Sequence, residues 1–292
     1  MIGHDPMILL AISTLLLFAI ILIAVPGMAA KRFRNTVSTE RKTLVSKVPR
    51  TKDKILTESS VKDLPGPVRK WLDSSGVVGR EIPEIIYLEQ ESLMKLKPDQ
   101  KSWFRANADQ VFTLDPPAFN WSVSVDMGPG IKALGRDEFA EGRGQMKILL
   151  LGLIPVAKAG NDQKTNQATL QRFLAEMVWF PAAAARPYIK WKEIDPRTAE
   201  AKMTWGGTQG SGLFFFDENG DFRTFKARRF KDLKDEEPSE WIVSCVRSEV
   251  VNGIRMPVEC EVKWKTEAGE WTWLQLKVTK LVYNIDNHEN TV

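Results

Sequence analysis

Residues 7–25, MILLAISTLLLFAIILIAV, run for nineteen positions without a charge. That is close to the roughly 20 residues with which a helix crosses a hydrocarbon core about 30 Å thick. Such a stretch has to leave water, so it constrains everything that follows. Ser13 and Thr14 are compatible with a buried helix, because a hydroxyl can bond back to the preceding turn. A cleaved signal peptide is the competing reading, and it calls for a basic start, an apolar run of about 7–15 residues and a small-residue cleavage site. Here MIGHDP has no Lys or Arg, the run is longer, and GMAAK is only a passable site. The expectation is an uncleaved transmembrane anchor over residues 1–30.

The next segment carries the positive charge. Residues 31–60 hold nine basic and three acidic side chains, a net +6, against +4 for the whole chain. With Asp5 the one charge before residue 31, residues 61–292 sum to about −1. The basic balance therefore belongs to a juxtamembrane linker over 31–60, which weakens a nucleic-acid reading, since that calls for a basic face on the folded domain. Lys and Arg beside a membrane helix are retained on the cytoplasmic side. None precedes the run, which makes this a single-pass cell-membrane protein with its domain in the cytoplasm. Lys31, Arg32, Arg34, Arg41 and Lys42 are candidates for contact with anionic headgroups, each worth about 1 kcal/mol near a charged surface.

A single domain is expected over 61–286, followed by a tail at 287–292. Leu64–Gly76 reads as a short helix: Pro67 suits its start, Val68, Trp71 and Leu72 form a stripe, and Gly76 suits its left-handed end. From Ile85 the period becomes two. In FNWSVSVDM, Phe119, Trp121, Val123, Val125 and Met127 share one face and Asn120, Ser122, Ser124 and Asp126 the other, the mark of antiparallel sheet. Similar strands are expected near 85–96, 101–113, 131–139, 144–151, 188–194 and 198–206, with more to residue 285. The expected fold is mainly β (α+β): a large curved antiparallel sheet or half-barrel of about ten strands, with one amphipathic helix packed on it. That helix is QATLQRFLAEMVWFP, where Leu170, Phe173, Leu174, Met177 and Val178 form the buried stripe. Arg172, Glu176 and Trp179 form a second stripe, either an exposed ion pair beside a Trp or the polar rim of a cavity.

Two cysteines, Cys245 and Cys260, sit in a hairpin turning at Asn252-Gly253. A two-residue turn sets them opposite one another and carries Arg247 and Glu249 toward the apolar face. A bulged three-residue turn avoids burying those charges and is the register expected, with Cys245 pointing away from Cys260. Free thiols suit a reducing compartment.

The chemistry is limited mainly by absence. The two histidines, His4 and His288, lie outside the folded region, so neither a nucleophilic triad nor a His-rich metal site is supported. GGTQGSG at 206–212 precedes a strand and matches no phosphate or dinucleotide loop, so it reads as a strand bend. Asp137, Glu138, Glu141 and Glu176 are the carboxylates that could pair for acid–base work if a cleft brought two of them within about 5–9.5 Å. No catalytic residue, metal or cofactor is assigned.

LPGPVRKWLDSSGV, FNWSVSVDM, GRDEFAEGRGQMKILLLGLIPV, LQRFLAEMVWFP and NGIRMPVECEVKW together resemble an uncharacterised bacterial family of membrane-anchored proteins, a domain of unknown function. The resemblance runs from about Leu64 to Asn284 and implies no established activity. A long antiparallel sheet broken once by an amphipathic helix is also similar in plan to the lipoprotein-carrier half-barrels of the LolA kind. Those hold acyl chains between sheet and helices, outside the cytoplasmic membrane, against the topology read from the charges.

Ten Trp and fourteen Phe against three Tyr give this sheet an aromatic interior. The leading expectation is a non-enzymatic, membrane-anchored protein that binds a lipid or other hydrophobic ligand in the cleft of the sheet. Trp121, Phe173, Met177 and Trp179 would form walls, Glu176 a polar rim, and Arg136 and Arg172 would meet an acidic headgroup. The alternative is a scaffold or partner-binding subunit of a membrane complex, with the same aromatics filling a solid core. Membrane lipids and a membrane-protein partner are the implied partners, and nucleic acid is not.

Overall fold

Alternation of apolar and polar residues produces one sheet, and the computed structural model describes it through residues 6–49, 54–160 and 162–285. Within the first helix, the side chains of residues 6, 8, 9, 11, 12 and 16–23 lie outside that description. The first half of the domain contributes β1 (Ile85–Met94), β2 (Phe104–Leu114), β3 (Pro117–Gly128), β4 (Ile131–Ala140), β5 (Arg143–Leu150) and β6 (Ile154–Gly160). The second half contributes β7 (Ile189–Asp195), β8 (Thr198–Trp205), β9 (Thr208–Phe216), β10 (Phe222–Arg229), β11 (Ser239–Val251), β12 (Ile254–Thr266) and β13 (Gly269–Tyr283).

All thirteen strands pair antiparallel in the order β6-β5-β4-β3-β2-β1-β13-β12-β11-β10-β9-β8-β7, a curled half-barrel. Sequence periodicity pointed to about ten strands. β6 escaped it because Pro155 interrupts the run and its side chains are largely exposed, which only an edge strand tolerates.

The chain therefore builds outward from β1 to one edge and must restart at the other. α4 (Gln163–Glu176) makes that crossing over the concave face, and two short 3-10 turns, Met177–Trp179 and Pro181–Ala185, lead into β7. Asp162 caps α4 by accepting from the Thr165 amide at 2.7 Å, satisfying one of the donors that a helix start leaves free. Leu170, Phe173, Leu174, Met177 and Val178 are all buried, as the stripe required. The helix rests almost on backbone: a Cβ at Gly144 of β5 would fall 2.2 Å from Thr169 Oγ1. The β4–β5 and β8–β9 turns also meet, and Thr208 Oγ1 donates to the Gly142 carbonyl at 2.6 Å. GRDEFAEGRG and GGTQGSG, far apart in sequence, are thus two halves of one closure.

Under α4, Phe112, Phe119, Phe139, Phe173 and Phe180 are fully buried, with ring centroids 4.7–6.4 Å apart. Two short helices precede the sheet, α2 (Glu58–Val61) and α3 (Gly66–Ser75). Gly76 ends α3 in the left-handed conformation, as expected. Trp71 of α3 stacks on Phe214 and Phe216 and closes the β7–β9 end.

α1 (Pro6–Ser46) is one continuous helix. Residues 31–46, expected to begin a linker, lie within it, docked on the convex face of the sheet. Ala29, Phe33, Val37, Leu44 and Val45 are buried; Phe33 and Val37 pack with Leu134 and Leu149, and Val45 with Tyr87 and Val111. The helical spacing of Phe33, Val37, Arg41, Leu44 and Val45 was present in the sequence but masked by the charges between them. Among the described residues no helix is long and apolar enough to cross a membrane. The span expected over 7–25 falls mostly on side chains outside the described residues.

The β11–β12 hairpin corrects the expected register. Asn252 and Gly253 both have positive φ, 52° and 77°, the two-residue I′ turn. Cys245 lies opposite Cys260, and compensating bulges shift the pairing around Arg247. The burial penalty that disfavoured this register does not arise, because this end of β11 is open. Arg247 is 41% exposed and pairs with Glu249 and Glu259.

Candidate functional site

The second stripe of α4 meets the inner face of β4 rather than solvent. Arg172 donates to Asp137 Oδ2 and, through Nε, to Glu176 Oε1, both at 2.8 Å. Glu176 Oε2 accepts from Gln110 Nε2 at 2.8 Å. Asp137 faces inward because it is the cross-strand partner of Trp121, and the Arg172 guanidinium stacks 4.5 Å from that indole. Side-chain exposures of 13%, 19% and 11% for Arg172, Asp137 and Glu176 make this a part-buried network. It is not the exposed pair that was one reading of the spacing.

One cation serves two carboxylates here. Glu176 and Asp137 hold Arg172 above the ordinary arginine range despite its burial. Burial, with the Asp137 charge adding to it, holds Glu176 above its ordinary value of 4.5 even though Arg172 and Gln110 pull it down. Both oxygens of Glu176 are engaged, Oε1 by Arg172 and Oε2 by Gln110.

A second arginine lies beside the first. Arg229, on β10, stacks 4.6 Å from Trp241 and 5.6 Å from Trp264. Its Nε donates to the Ala168 carbonyl of α4 at 3.0 Å. No carboxylate pairs with it among the described residues. Burial first, then the Arg172 charge, pushes its pKa down to about 10, still well above neutrality. Its neighbour Trp241 has a buried Nε1 donor without an acceptor, as do Trp271 Nε1 and Gln90 Nε2 elsewhere on the sheet. Trp271 is the cross-strand partner of Trp264. Gln90 accepts from Trp121 Nε1 at 3.3 Å, beside Arg172. Gln110 and Gln171 each leave a buried acceptor, Oε1, without a partner.

The residues expected to share one site are thus divided. Trp121, Arg172 and Glu176 come together. Phe173 and Met177 belong to the filled aromatic core, both fully buried. Trp179 is a structural tie: its Nε1 donates to the Pro257 carbonyl at 3.0 Å, and its own carbonyl accepts from Tyr283 at 2.6 Å. Arg136 is on the convex face, bonded to Glu40 of α1 at 2.7 Å. Strand alternation separates it from Asp137.

The basic residues of α1 also divide. Lys31, Arg32, Arg34 and Lys42 are exposed, whereas Arg41 is buried in bonds to Asp109 and Asn120. Burial, only partly offset by Arg136, holds Glu40 above its usual range. Glu141 stands at a turn and pairs with Lys47 at 2.7 Å, away from Glu176. Cys245 and Cys260 are free thiols, both pushed up by burial. No cluster of metal-ligating side chains occurs among the described residues.

Arg229, Trp241, Trp264 and Gln90 were not singled out from the sequence. The signal for Arg229 was nonetheless there: Phe225, Ala227 and Arg229 alternate on one face of β10, which puts a charge on a face otherwise apolar.

Residues 54–276 match the model of the family of unknown function DUF6544. The chain belongs to that family. No curated protein matches it. Among solved structures, this family member is similar to a DUF1329 family protein from Desulfovibrio piger, with 10% identity over 80% of this chain and 95% of that one, TM-score 0.41. It is also similar to a LolA superfamily protein from Nitrosomonas europaea, with 11% identity over 75% of this chain and 94% of that one, TM-score 0.35.

Because the Glu176 pKa is raised on folding, its contribution to stability is fully present below 4.5 and is lost as pH rises through the raised value. Glu176→Gln should remove that decline, so the variant gains on the wild type in urea-denaturation midpoint as pH rises from 4.5. A difference independent of pH would contradict the assignment.

Proposed function

We propose that this protein is a membrane-anchored binding protein for a hydrophobic ligand with an acidic group, held on the concave face between Arg172 and Arg229. The observation that carries the reading is Arg229: a half-buried guanidinium, stacked on two indoles and in no salt bridge among the described residues. A charge drawn partly out of water gains from a partner of opposite sign. A ligand carboxylate or phosphate would supply the counter-charge and the acceptors that Trp241 Nε1, Trp271 Nε1 and Gln90 Nε2 lack. Trp121, Trp264 and the apolar inner positions of β11–β13 would contact the chain of the ligand. Arg172, already committed to Asp137 and Glu176, acts as a support for this surface. A charge-assisted hydrogen bond contributes about 1.5–3 kcal/mol, so Arg229→Gln should weaken binding of a fluorescent fatty acid by the full-length, delipidated protein about tenfold or more. Unchanged affinity in a variant with a wild-type melting curve would refute the site.

The close-packed phenylalanines beneath α4 favour the second reading, a scaffold with a solid core, for that part of the concave space. On either reading we propose the uncharged run over 7–25 as a single-pass anchor, and the basic Lys31, Arg32, Arg34 and Lys42 that follow it favour a cytoplasmic over a periplasmic domain. A Cys introduced at exposed Lys202 should resist an impermeant thiol reagent on intact cells and react after lysis. Reaction without lysis would put the domain outside.

A further inference from the structure

The turn between β3 and β4 and the turn between β5 and β6 meet α1 where its uncharged run ends. The Leu151 amide donates to the Lys132 carbonyl at 2.7 Å, tying the two turns together. Gly152 lies against Ala29 and Ala30, where a Cβ would approach the Ala30 nitrogen to 3.0 Å. Around this junction large apolar side chains stand in the open: Met28, Ile131, Leu153, Ile154 and Val156, from 43% to 63% exposed. Ile154 and Val156 belong to β6, an edge strand of the sheet. An uncovered apolar edge is an aggregation hazard, and apolar patches of this kind mark contact surfaces. The patch is rimmed by exposed Lys31, Arg32, Arg34, Lys132, Lys147 and Lys158. Asp126, the acidic side chain beside the first turn, is already paired with Lys132 at 3.3 Å.

We infer that this junction is a membrane-seating surface, with Met28, Ile131, Leu153, Ile154 and Val156 in the headgroup layer of an anionic bilayer and the lysines and arginines around them at its phosphates. The inference rests on the anchor reading above. From Val25, the last residue of the run, to Ala29 is four residues, or about 6 Å of helix. The polar layer between hydrocarbon and water is about 5–8 Å deep on each side. α1 continues from the run through Pro26 into the docked stretch as one helix, so a helix that crosses with residues 7–25 brings both turns to that layer, Pro26 being the one place where it can bend. Continuity with the anchor and the basic rim select a lipid surface over a protein partner. The domain is thereby held in one orientation, with the Val125–Met127 end of β3 toward the bilayer.

The test is the depth of spin labels in the full chain, reconstituted in phosphatidylcholine–phosphatidylglycerol vesicles with Cys245→Ser and Cys260→Ala. Labels at Leu153→Cys and, as a second site, Ile154→Cys should collide with oxygen in preference to a water-soluble nickel complex. A label at Lys202→Cys, on β8, should show the opposite. Leu153 and Ile154 labels as accessible to nickel as the Lys202 label would overturn the inference. A label at Leu15→Cys separates the two claims: in lipid, it leaves the anchor standing while the seating surface falls, and in water it removes both.

Discussion

The crossing of α4 over the concave face is the contact on which the rest of the structure depends. A sheet that starts at its centre and grows to one edge has to be completed from the other edge, and the segment between must span the curl. α4 does so because β5 and β9 present glycines beneath it: a Cβ at Gly144 or Gly210 would strike Thr169 or Gln171. The apolar stripe of the helix fills the space below with phenylalanine rings. Its other stripe, Ala168, Arg172 and Glu176, is left facing β4 and β10. The same docking that closes the half-barrel therefore creates an interior cluster of opposed charges and aromatic rings.

The period of two and the period of 3.6 made most of this legible. The inward set on β3, the buried stripe on α4 and the cap formed by α3 follow directly from residue spacing. What spacing could not supply was proximity across the chain. Arg229 and Arg172 are neighbours only because β10 and α4 meet, and GRDEFAEGRG touches GGTQGSG only because the sheet curls. Local arguments also misread two places where tertiary context prevailed. Arg247 and Glu249 escaped burial because the end of β11 is open. The basic stretch after residue 30 formed a docked helix because Phe33, Val37 and Leu44 found an apolar seat on the convex face.

That seat divides the charged residues into two systems on opposite faces of the sheet. On the convex side, Arg41, Glu40, Arg136 and Asp109 fasten α1 and are fully occupied with one another. On the concave side, Arg172 is shared between two carboxylates and Arg229 has none. The imbalance lies on the inner face, beside Trp241, whose buried N–H lacks an acceptor. The membrane-side features, the uncharged run and the basic, apolar junction, cluster at the other end of α1. The ion pairs that fasten α1 and the proposed ligand contacts thus lie on opposite faces of the sheet.

The most direct measurement is covalent capture of a photoactivatable fatty acid by the full-length protein, followed by mapping of the modified peptides. The account predicts adducts on the inner positions of β10, β11 and β12, within Phe222–Arg229, Ser239–Val251 and Ile254–Thr266. Adducts confined to α1 and the convex face of β3–β5 would contradict it.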